Sequence, residues 1–481
     1  MKKPNINLKG LRSSFGTRSF RVGSYSVIAT AIVLAMVIVV NVIAAALPAG
    51  VTQIDVTPSQ LYSISEQTEA VVGGLEEDVY VYWIVQRGEE DTMLKALLEQ
   101  YGSLSNKLHI IKKDPDMYPA FLDSYDVSSV QNNDLLVESS LRYTYVSYDD
   151  IYPYELDYST YSYVYEFDGE GQLTSAIDFV AKAEIPKLYI LTGHGEASLS
   201  ATFSDAVSKE NIETEELYLL TEGTVPEDAD CVLIYAPQSD ISEEELTALQ
   251  EYLSNGGNLL ALTDPPSDGA LTNLEALMAA YGVTTAEGIV VEGNSGNYAW
   301  GYPYYLLPDV NSHTVTSPLI SGGYNVLLPV AQGLQVADSL PDGVSVTELL
   351  TTSDDSFSKI AEYWTTYEKE DGDIDGPFAL GVAITDSNAD SNIVWISSSA
   401  LLNDSANTRV SGGNQDLFLN CLNWMCEVGE SGITIHAKSL DYEYLTIPEE
   451  TVSTLSVLMV GIIPLAYLAV GITVRVRRKR R

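Results

Sequence analysis

Cysteine and histidine are scarce in this chain, which has three cysteines and four histidines among 481 residues. Cys231, Cys421 and Cys426 form no CxxC pair and no spacing typical of a metal site. With so few thiols, a disulfide framework does not hold the protein together. The histidines form no HxH or HExxH pair, which argues against a zinc hydrolase. We therefore predict no metal site and no cofactor.

Basic residues are also few, and they are unevenly placed. Twelve of the 25 lysines and arginines lie in residues 1–21 and 475–481, which contain no acidic residue. The rest of the chain has 13 basic residues against 67 acidic ones. The part of the chain between the basic tails is acidic enough to repel nucleic acid and anionic lipid headgroups, so no nucleic-acid partner is expected. Its simplest effect is solubility.

Motifs for nucleotide binding and for nucleophilic catalysis are absent from the sequence. The chain has no GxGxxG, GxxxxGK[ST] or GxSxG pattern. Cys231 begins an apolar run instead of lying in a sharp turn between a strand and a helix. We therefore predict that the chain is not an enzyme and has no ATPase activity of its own.

Three short apolar runs organise the middle of the chain, at residues 188–191, 231–235 and 259–262. Runs that are apolar throughout are typical of parallel strands buried on both faces. Between the second and third run, Ser242 and Glu245 have the spacing of a capping box, and Gly256 and Gly257 mark the end of a helix. This strand–helix–strand order predicts an α/β fold with a doubly wound, mainly parallel sheet of the Rossmann or flavodoxin-like kind.

A candidate binding site lies in the turn TGHGE that follows the first of these runs. Ligands of open α/β sheets bind beyond the carboxyl ends of the strands. Gly193 and Gly195 permit positive φ, while His194 and Glu196 offer polar groups that could meet Asp264 at the sheet edge. Two interpretations remain open: a polar ligand site, or a tight structural turn with a locally bonded histidine.

Two uncharged apolar stretches predict transmembrane helices, at residues 22–47 and 452–474. The basic tails, residues 1–21 and 475–481, place both termini in the cytoplasm. The sequence thus predicts a two-pass protein of the cell membrane that contacts lipid through two spans and carries about 400 residues outside the cytoplasm. A cleaved signal peptide is the alternative for the first stretch.

The predicted outer part divides into residues 48–180 and residues 181–445. Residues 79–112 have a β-α-β order compatible with a thioredoxin-like subdomain, although the redox cysteines of that fold are missing. Tyrosines at alternate positions in residues 143–165 predict a hairpin, which either packs on a sheet or forms an aromatic binding face. Residues 298–305, YAWGYPYY, form an aromatic loop that is either structural or in contact with a partner.

Five stretches of the chain carry a resemblance to a known family: ILTGHGEASLSATFSDAVSKENI, IYAPQSDISEEELTALQEYLSNGGNLLALTDPP, residues 55–76, residues 378–424 and the ending RVRRKRR after an apolar run. In these stretches the chain resembles the GldG family of membrane-anchored auxiliary subunits of ABC transporters. The resemblance implies an ABC permease and an ATPase as partners, and outer domains that bind cargo, envelope components or partner subunits. The fold also resembles the α/β domain of class I amidotransferases.

Two other functions compete with this interpretation. One is an extracytoplasmic enzyme or ligand-binding protein that acts on a glycan or peptide through residues 193–196. The other is a surface scaffold built on the tyrosine-rich face. The sequence indicates neither the cargo nor the direction of transport.

Overall fold

The computed structural model describes residues 25, 28–39, 61, 63–125, 127, 129–157, 162–265, 271–360, 366–426, 435–440 and 477. This described part is a mixed α/β protein with two main sheets. The first sheet is built from residues 79–146, and the second from residues 187–396.

The first sheet has the strand order β2-β1-β3-β4. Its strands are β1 (Val79–Ile84), β2 (Leu108–Lys113), β3 (Asp134–Glu138) and β4 (Tyr143–Val146), and the helices around it are α1 (Glu66–Gly73), α2 (Thr92–Leu104), α3 (Tyr148–Ile151) and α4 (Gly169–Ala181). Strands β1 and β2 are parallel, whereas β3 runs antiparallel to β1 and to β4. Val79 and Val81 of β1 point into the core, and Tyr80 and Tyr82 point to the other face. The predicted β-α-β order is present, and the wider thioredoxin-like assignment stays a prediction.

The tyrosine-rich stretch is divided between two structures. Residues 143–146 join the first sheet as β4, so the predicted single hairpin over residues 143–165 is wrong. The hairpin itself consists of β5 (Tyr154–Asp157) and β6 (Ser162–Phe167), which are antiparallel.

The second sheet has ten strands, and β8, β7, β9, β10 and β21 are parallel to one another. The strands of this region are β7 (Lys187–Leu191), β8 (Glu213–Leu217), β9 (Cys231–Tyr235), β10 (Leu259–Leu262), β11 (Val283–Thr285), β12 (Ile289–Val291), β13 (Tyr305–Leu306), β14 (Asp309–Val310), β15 (Leu328–Pro329), β16 (Leu334–Val336), β17 (Val344–Thr351), β18 (Phe357–Lys359), β19 (Ile374–Asp375), β20 (Ala379–Asp386) and β21 (Ser391–Ile396). Its helices are α5 (Ala201–Lys209), α6 (Leu219–Glu222), α7 (Glu243–Ser254), α8 (Thr272–Ala279), α9 (Ser317–Gly322), α10 (Asp404–Arg409) and α11 (Gly413–Met425).

The prediction of a mainly parallel sheet is wrong, because the other half of this sheet is antiparallel. Strand β20 is antiparallel to β21, to β16 and to β17, and β11 and β14 extend this half. The connection between β20 and β21 spans residues 387–390, which is too short for the crossover that a parallel pair needs. The apolar runs show that these strands are buried, but they do not encode strand direction.

Helices cover both faces of the parallel half. Helices α5 and α11 pack on one face, where Phe203 and Phe418 join the core, and α7 and α8 pack on the other. The predicted capping box of α7 is confirmed: Glu245 N donates to Ser242 Oγ over 3.2 Å, and Ser242 N donates to the Glu245 carboxylate over 2.9 Å. Gly256, with φ of 94°, follows the helix as predicted.

The prediction of two transmembrane helices is not supported. In the part of the chain that the structure describes, no helix is long and apolar enough to cross a membrane. Residues 28–39 of the first predicted span are helical. The second predicted span, residues 452–474, lies outside the described residues.

The chain returns to the first region after the second sheet. Strand β22 (Lys438–Ser439) pairs antiparallel with β6 of the hairpin. Lys438 Nζ donates to the Glu170 carboxylate over 2.8 Å and to the carbonyl oxygen of Ser63 over 2.7 Å. The segments at both ends of the described α/β region therefore meet at one buried carboxylate.

Candidate functional site

The predicted turn lies at the point where the parallel strand order reverses. Strand β7 lies between β8 and β9. The chain therefore passes from β7 to β8 on one side and then crosses to β9 on the other side of β7. In doubly wound folds, the crevice beyond the carboxyl ends of such strands is the usual place for a ligand. Residues 192–197 follow β7 here, and residues 236–239 follow β9.

Direct backbone hydrogen bonds bridge this crevice. The amides of Gln238 and Ser239 donate to the carbonyl oxygen of His194 over 2.9 and 3.0 Å. The amide of Ala197 donates to the carbonyl oxygen of Tyr235 over 3.0 Å. Gly195 has φ of 78°, and a Cβ atom there would lie 3.1 Å from Cβ of Gln238, so the close approach requires glycine. The two loops are thus joined to each other.

His194 is held between two carboxylates. Its Nδ1 lies 2.8 Å from Oε1 of Glu196, and its Nε2 lies 3.1 Å from Oε2 of Glu245. The side chains are 8%, 5% and 2% exposed, respectively. Oε2 of Glu196 also accepts from the amides of Gly193 and His194, over 3.0 and 2.7 Å. We call these three side chains the histidine clamp.

The electrostatics of the clamp favour a charged histidine. The hydrogen bond to Glu196 raises the pKa of His194 against the opposing effect of burial, and Glu245 adds to the rise. Burial on its own would raise the pKa of Glu196, but hydrogen bonds from His194 and the backbone lower it below its ordinary value. An imidazolium donates from both ring nitrogens, which matches two carboxylate acceptors.

Asp264 belongs to a neighbouring contact and not to the clamp. Its carboxylate accepts from the amide and the hydroxyl of Ser399, over 2.8 and 2.6 Å. These contacts join the ends of β10 and β21. The predicted site residues therefore fall into two groups: the turn with Gly193, His194, Gly195 and Glu196, and the Asp264–Ser399 pair.

Sequence reasoning missed three participants at this edge. Glu245 was predicted as a helix cap, and nothing in the local pattern indicates that its second contact is His194. Ser399 lies 135 residues from Asp264, so no spacing connects them. Tyr235 is the third: burial, followed by the charges of Asp264 and Asp404, raises the pKa of its hydroxyl.

The described residues contain no group of three or more histidine, cysteine, aspartate and glutamate side chains that could hold a metal ion. Cys231, Cys421 and Cys426 are buried, and burial raises the pKa of the Cys231 and Cys421 thiols. A buried thiol with a raised pKa stays protonated and is a poor nucleophile.

Residues 185–421 match the model of a family described as an ABC-type uncharacterized transport system. The match confirms the resemblance to auxiliary subunits that the sequence motifs indicate, and it supports an auxiliary role in ABC-type transport. The matched region begins just before β7 and ends within α11, so it contains the second sheet and the histidine clamp. Residues 58–154 match a domain of unknown function, DUF7088.

No curated protein matches the chain. The solved structures that are similar to part of the chain include the N-terminal domain of mmIFT52, with 12% identity and a TM-score of 0.38. The match covers 50% of this chain and 97% of that chain. A ThuA-like protein from Bacteroides uniformis has 13% identity and a TM-score of 0.30, covering 53% of this chain and 98% of that chain. A cytoplasmic protein from Salmonella typhimurium has 14% identity and a TM-score of 0.29, covering 50% and 98%. At these identities and TM-scores the likenesses carry no argument about function.

Proposed function

We propose that this chain is a non-catalytic auxiliary subunit of an ABC-type transport system. Its domains bind cargo, an envelope component or partner subunits, and the partners are the permease and the ATPase. The single observation that carries the proposal is the family match over residues 185–421. We further propose that the chain acts at the cell membrane, with these domains on the side away from the cytoplasm.

The histidine clamp supports the non-catalytic part of the proposal. Both ring nitrogens of His194 are bound to carboxylates, so the ring has no free nitrogen with which to take up a proton or bind a metal. The backbone bridges across the crevice occupy the usual ligand position. This arrangement suits a turn that stabilises the sheet edge.

The tyrosine hairpin supports a role in binding a partner. Tyr154, Tyr163 and Tyr165 are 62%, 57% and 51% exposed. The rings of Tyr163 and Tyr165 lie 5.5 and 5.9 Å from that of Tyr154, so the three form one patch. Contiguous exposed aromatic surface is typical of protein interfaces.

Affinity purification from native membranes tests the association. Full-length protein with an affinity tag is purified in mild detergent, and mass spectrometry identifies the proteins that accompany it. We expect a permease and its ATPase. Recovery of the tagged chain alone, or with envelope polymers only, contradicts the proposal.

A double substitution separates this proposal from an enzyme or ligand site in the turn. The variant is His194→Gln with Glu196→Gln, which keeps the size of both side chains. If folding and partner recovery are intact but function is lost, the turn is a ligand or catalytic site and the proposed role is wrong. We expect the variant to lose function only if its folding or its partner recovery is lost as well.

A further inference from the structure

A cleft of about 550 Å³ opens in the second region, away from the histidine clamp. It lies between the aromatic loop, the end of α9 and the end of α10. Its lining includes Trp300, Gly323, Tyr324, Asn325, Arg409 and Ser411. A volume of this size falls within the range of small-molecule sites in proteins.

Arg409 lies over the ring of Trp300, with its Cζ atom 4.6 Å from the ring centroid. The indole is 50% exposed, so the stacked pair forms part of the open surface of the cleft. A guanidinium stacked in this way is held by its planar face, while its N–H groups point outward from the edges. The pair therefore presents oriented donors beside an aromatic ring.

The guanidinium of Arg409 has no hydrogen-bond or ion-pair partner among the described residues, although the chain has 67 acidic residues. An arginine with free edges is suited to bidentate pairing with a carboxylate. The cleft thus offers a cationic fork to a ligand from outside.

Backbone conformation, a hydrogen bond and ring packing hold Trp300 in place beneath Arg409. Trp300 has φ of 53°, a left-handed conformation that a bulky residue adopts only when its surroundings hold it there. The Ala299 amide donates to the Tyr305 carbonyl oxygen over 2.9 Å, and the Tyr305 ring packs edge-on against Trp300 at 5.8 Å. The aromatic platform is therefore positioned before any ligand binds.

We propose that this cleft binds a saccharide that carries a carboxylate, such as a uronic acid unit. The carboxylate pairs with Arg409, the apolar face of the sugar ring packs on Trp300 or Tyr324, and the sugar hydroxyls meet the exposed Asn325 and Ser411. A sugar acid combines these three features in a body of suitable size. The inference deepens the proposed auxiliary role and rests on it for its biological meaning, because it names a ligand class for the domains.

Binding of tri-galacturonic acid to the purified full-length protein tests the inference. The dissociation constant is measured by saturation-transfer difference NMR, with the methyl-esterified trisaccharide as the uncharged control. We expect the acid to bind at least tenfold more tightly than the ester, since the loss of a charged hydrogen bond costs about that factor or more. Equal binding, no binding, or equally tight binding of tri-glutamate overturns the inference.

Variants tie this binding to the cleft. Arg409→Gln is expected to weaken binding of the acid about tenfold, and Arg409→Lys to restore only part of it, because lysine lacks the planar fork. Arg142→Gln is the matched control: Arg142 also stacks on an aromatic ring, that of Phe179, but in the first region. An unchanged affinity in Arg409→Gln overturns the assignment.

The same variants keep this inference separate from the proposed function. Partner recovery is measured alongside sugar binding, and Arg409→Gln is expected to leave recovery unchanged. If the wild-type chain recovers no transporter but binds the acid, the auxiliary role fails and the sugar site stands. If the wild-type chain recovers the transporter but binds no acid, the sugar site fails and the auxiliary role stands.

Discussion

His194 stabilises the fold through its charge, and the stability it contributes therefore depends on pH. Its pKa is raised above the ordinary value of 6.5, chiefly by Glu196. The contribution is complete below that value and is lost as the pH rises through the folded-state pKa. The pKa values of Glu196 and Glu245 are lowered, so their contributions are present above the ordinary 4.5 and are lost as the pH falls through the folded-state pKa values.

His194→Gln is therefore expected to remove a pH dependence of stability. In the wild type, the free energy of unfolding decreases as the pH rises above the ordinary histidine pKa of 6.5 and through the folded-state pKa, because the clamp loses its proton there. In the variant this decrease is absent, and the stability near pH 6 is about 2 kcal/mol lower because buried carboxylates lose their partner. Urea unfolding at a series of pH values measures both effects.

The exposed His109 provides a matched control for that experiment. It lies 3.2 Å from Asp78, but its side chain is 39% exposed, so solvent screens the pair. His109→Gln is expected to leave the decrease in stability with rising pH nearly as in the wild type. If His194→Gln retains the full dependence, the clamp is not the group responsible.

At this scale, the sequence predicted part of the site and missed the rest. The turn with His194 and Glu196 was found because it follows a strongly apolar strand and the two side chains are local to each other. The partnership with Glu245 spans 51 residues, and the Ser399 contact of Asp264 spans 135. Such contacts depend on which strands become neighbours, and no local pattern records that.

Among the elements, β22 connects the end of the described α/β region to its beginning. Lys438 lies in this strand, and its Nζ bonds Glu170 at the start of α4, whose side chain is 4% exposed. Oε1 of Glu170 also accepts from the Ser65 amide and the Thr68 hydroxyl, over 2.6 and 2.9 Å. The Glu170 carboxylate thus joins three segments of the first region: the start of α1, the start of α4 and strand β22.

Lys438→Met is expected to destabilise the first region strongly. The substitution leaves Glu170 buried without its cation, which costs about 3 kcal/mol. Lys95→Met is the matched control, since the Lys95–Glu99 pair is more than half exposed and such pairs contribute about 0.5 kcal/mol or less. The measurement is urea unfolding followed by circular dichroism. Equal effects of the two substitutions would show that the Glu170 network does not stabilise the region.

The elements of the second sheet were predictable where the pattern was strong. The strands at 231–235 and 259–262 agree with the sequence to the residue. The helix between them begins after Ser242 as predicted, and it ends at Ser254, just before Gly256. Strands such as β13, β14 and β15 have two residues each, which is too short to show any periodicity. The antiparallel half of the sheet was missed because an apolar run shows that a strand is buried but does not show the direction in which the strand runs.

For the whole molecule, composition and resemblance proved informative in different ways. The family match over residues 185–421 agrees with the resemblance drawn from motifs, because those motifs form the βαβ core of the second sheet. The transmembrane prediction relied on hydropathy and length, and no described helix supports it.

The auxiliary role is the central claim, and purification from the transporter's side tests it most directly. An affinity tag is placed on the ATPase of the transport system, the assembly is isolated from native membranes in mild detergent, and quantitative mass spectrometry measures how much of this chain accompanies it. The account predicts near-stoichiometric recovery with the permease and the ATPase, unchanged in Arg409→Gln. A complete transporter that contains none of this chain would contradict it.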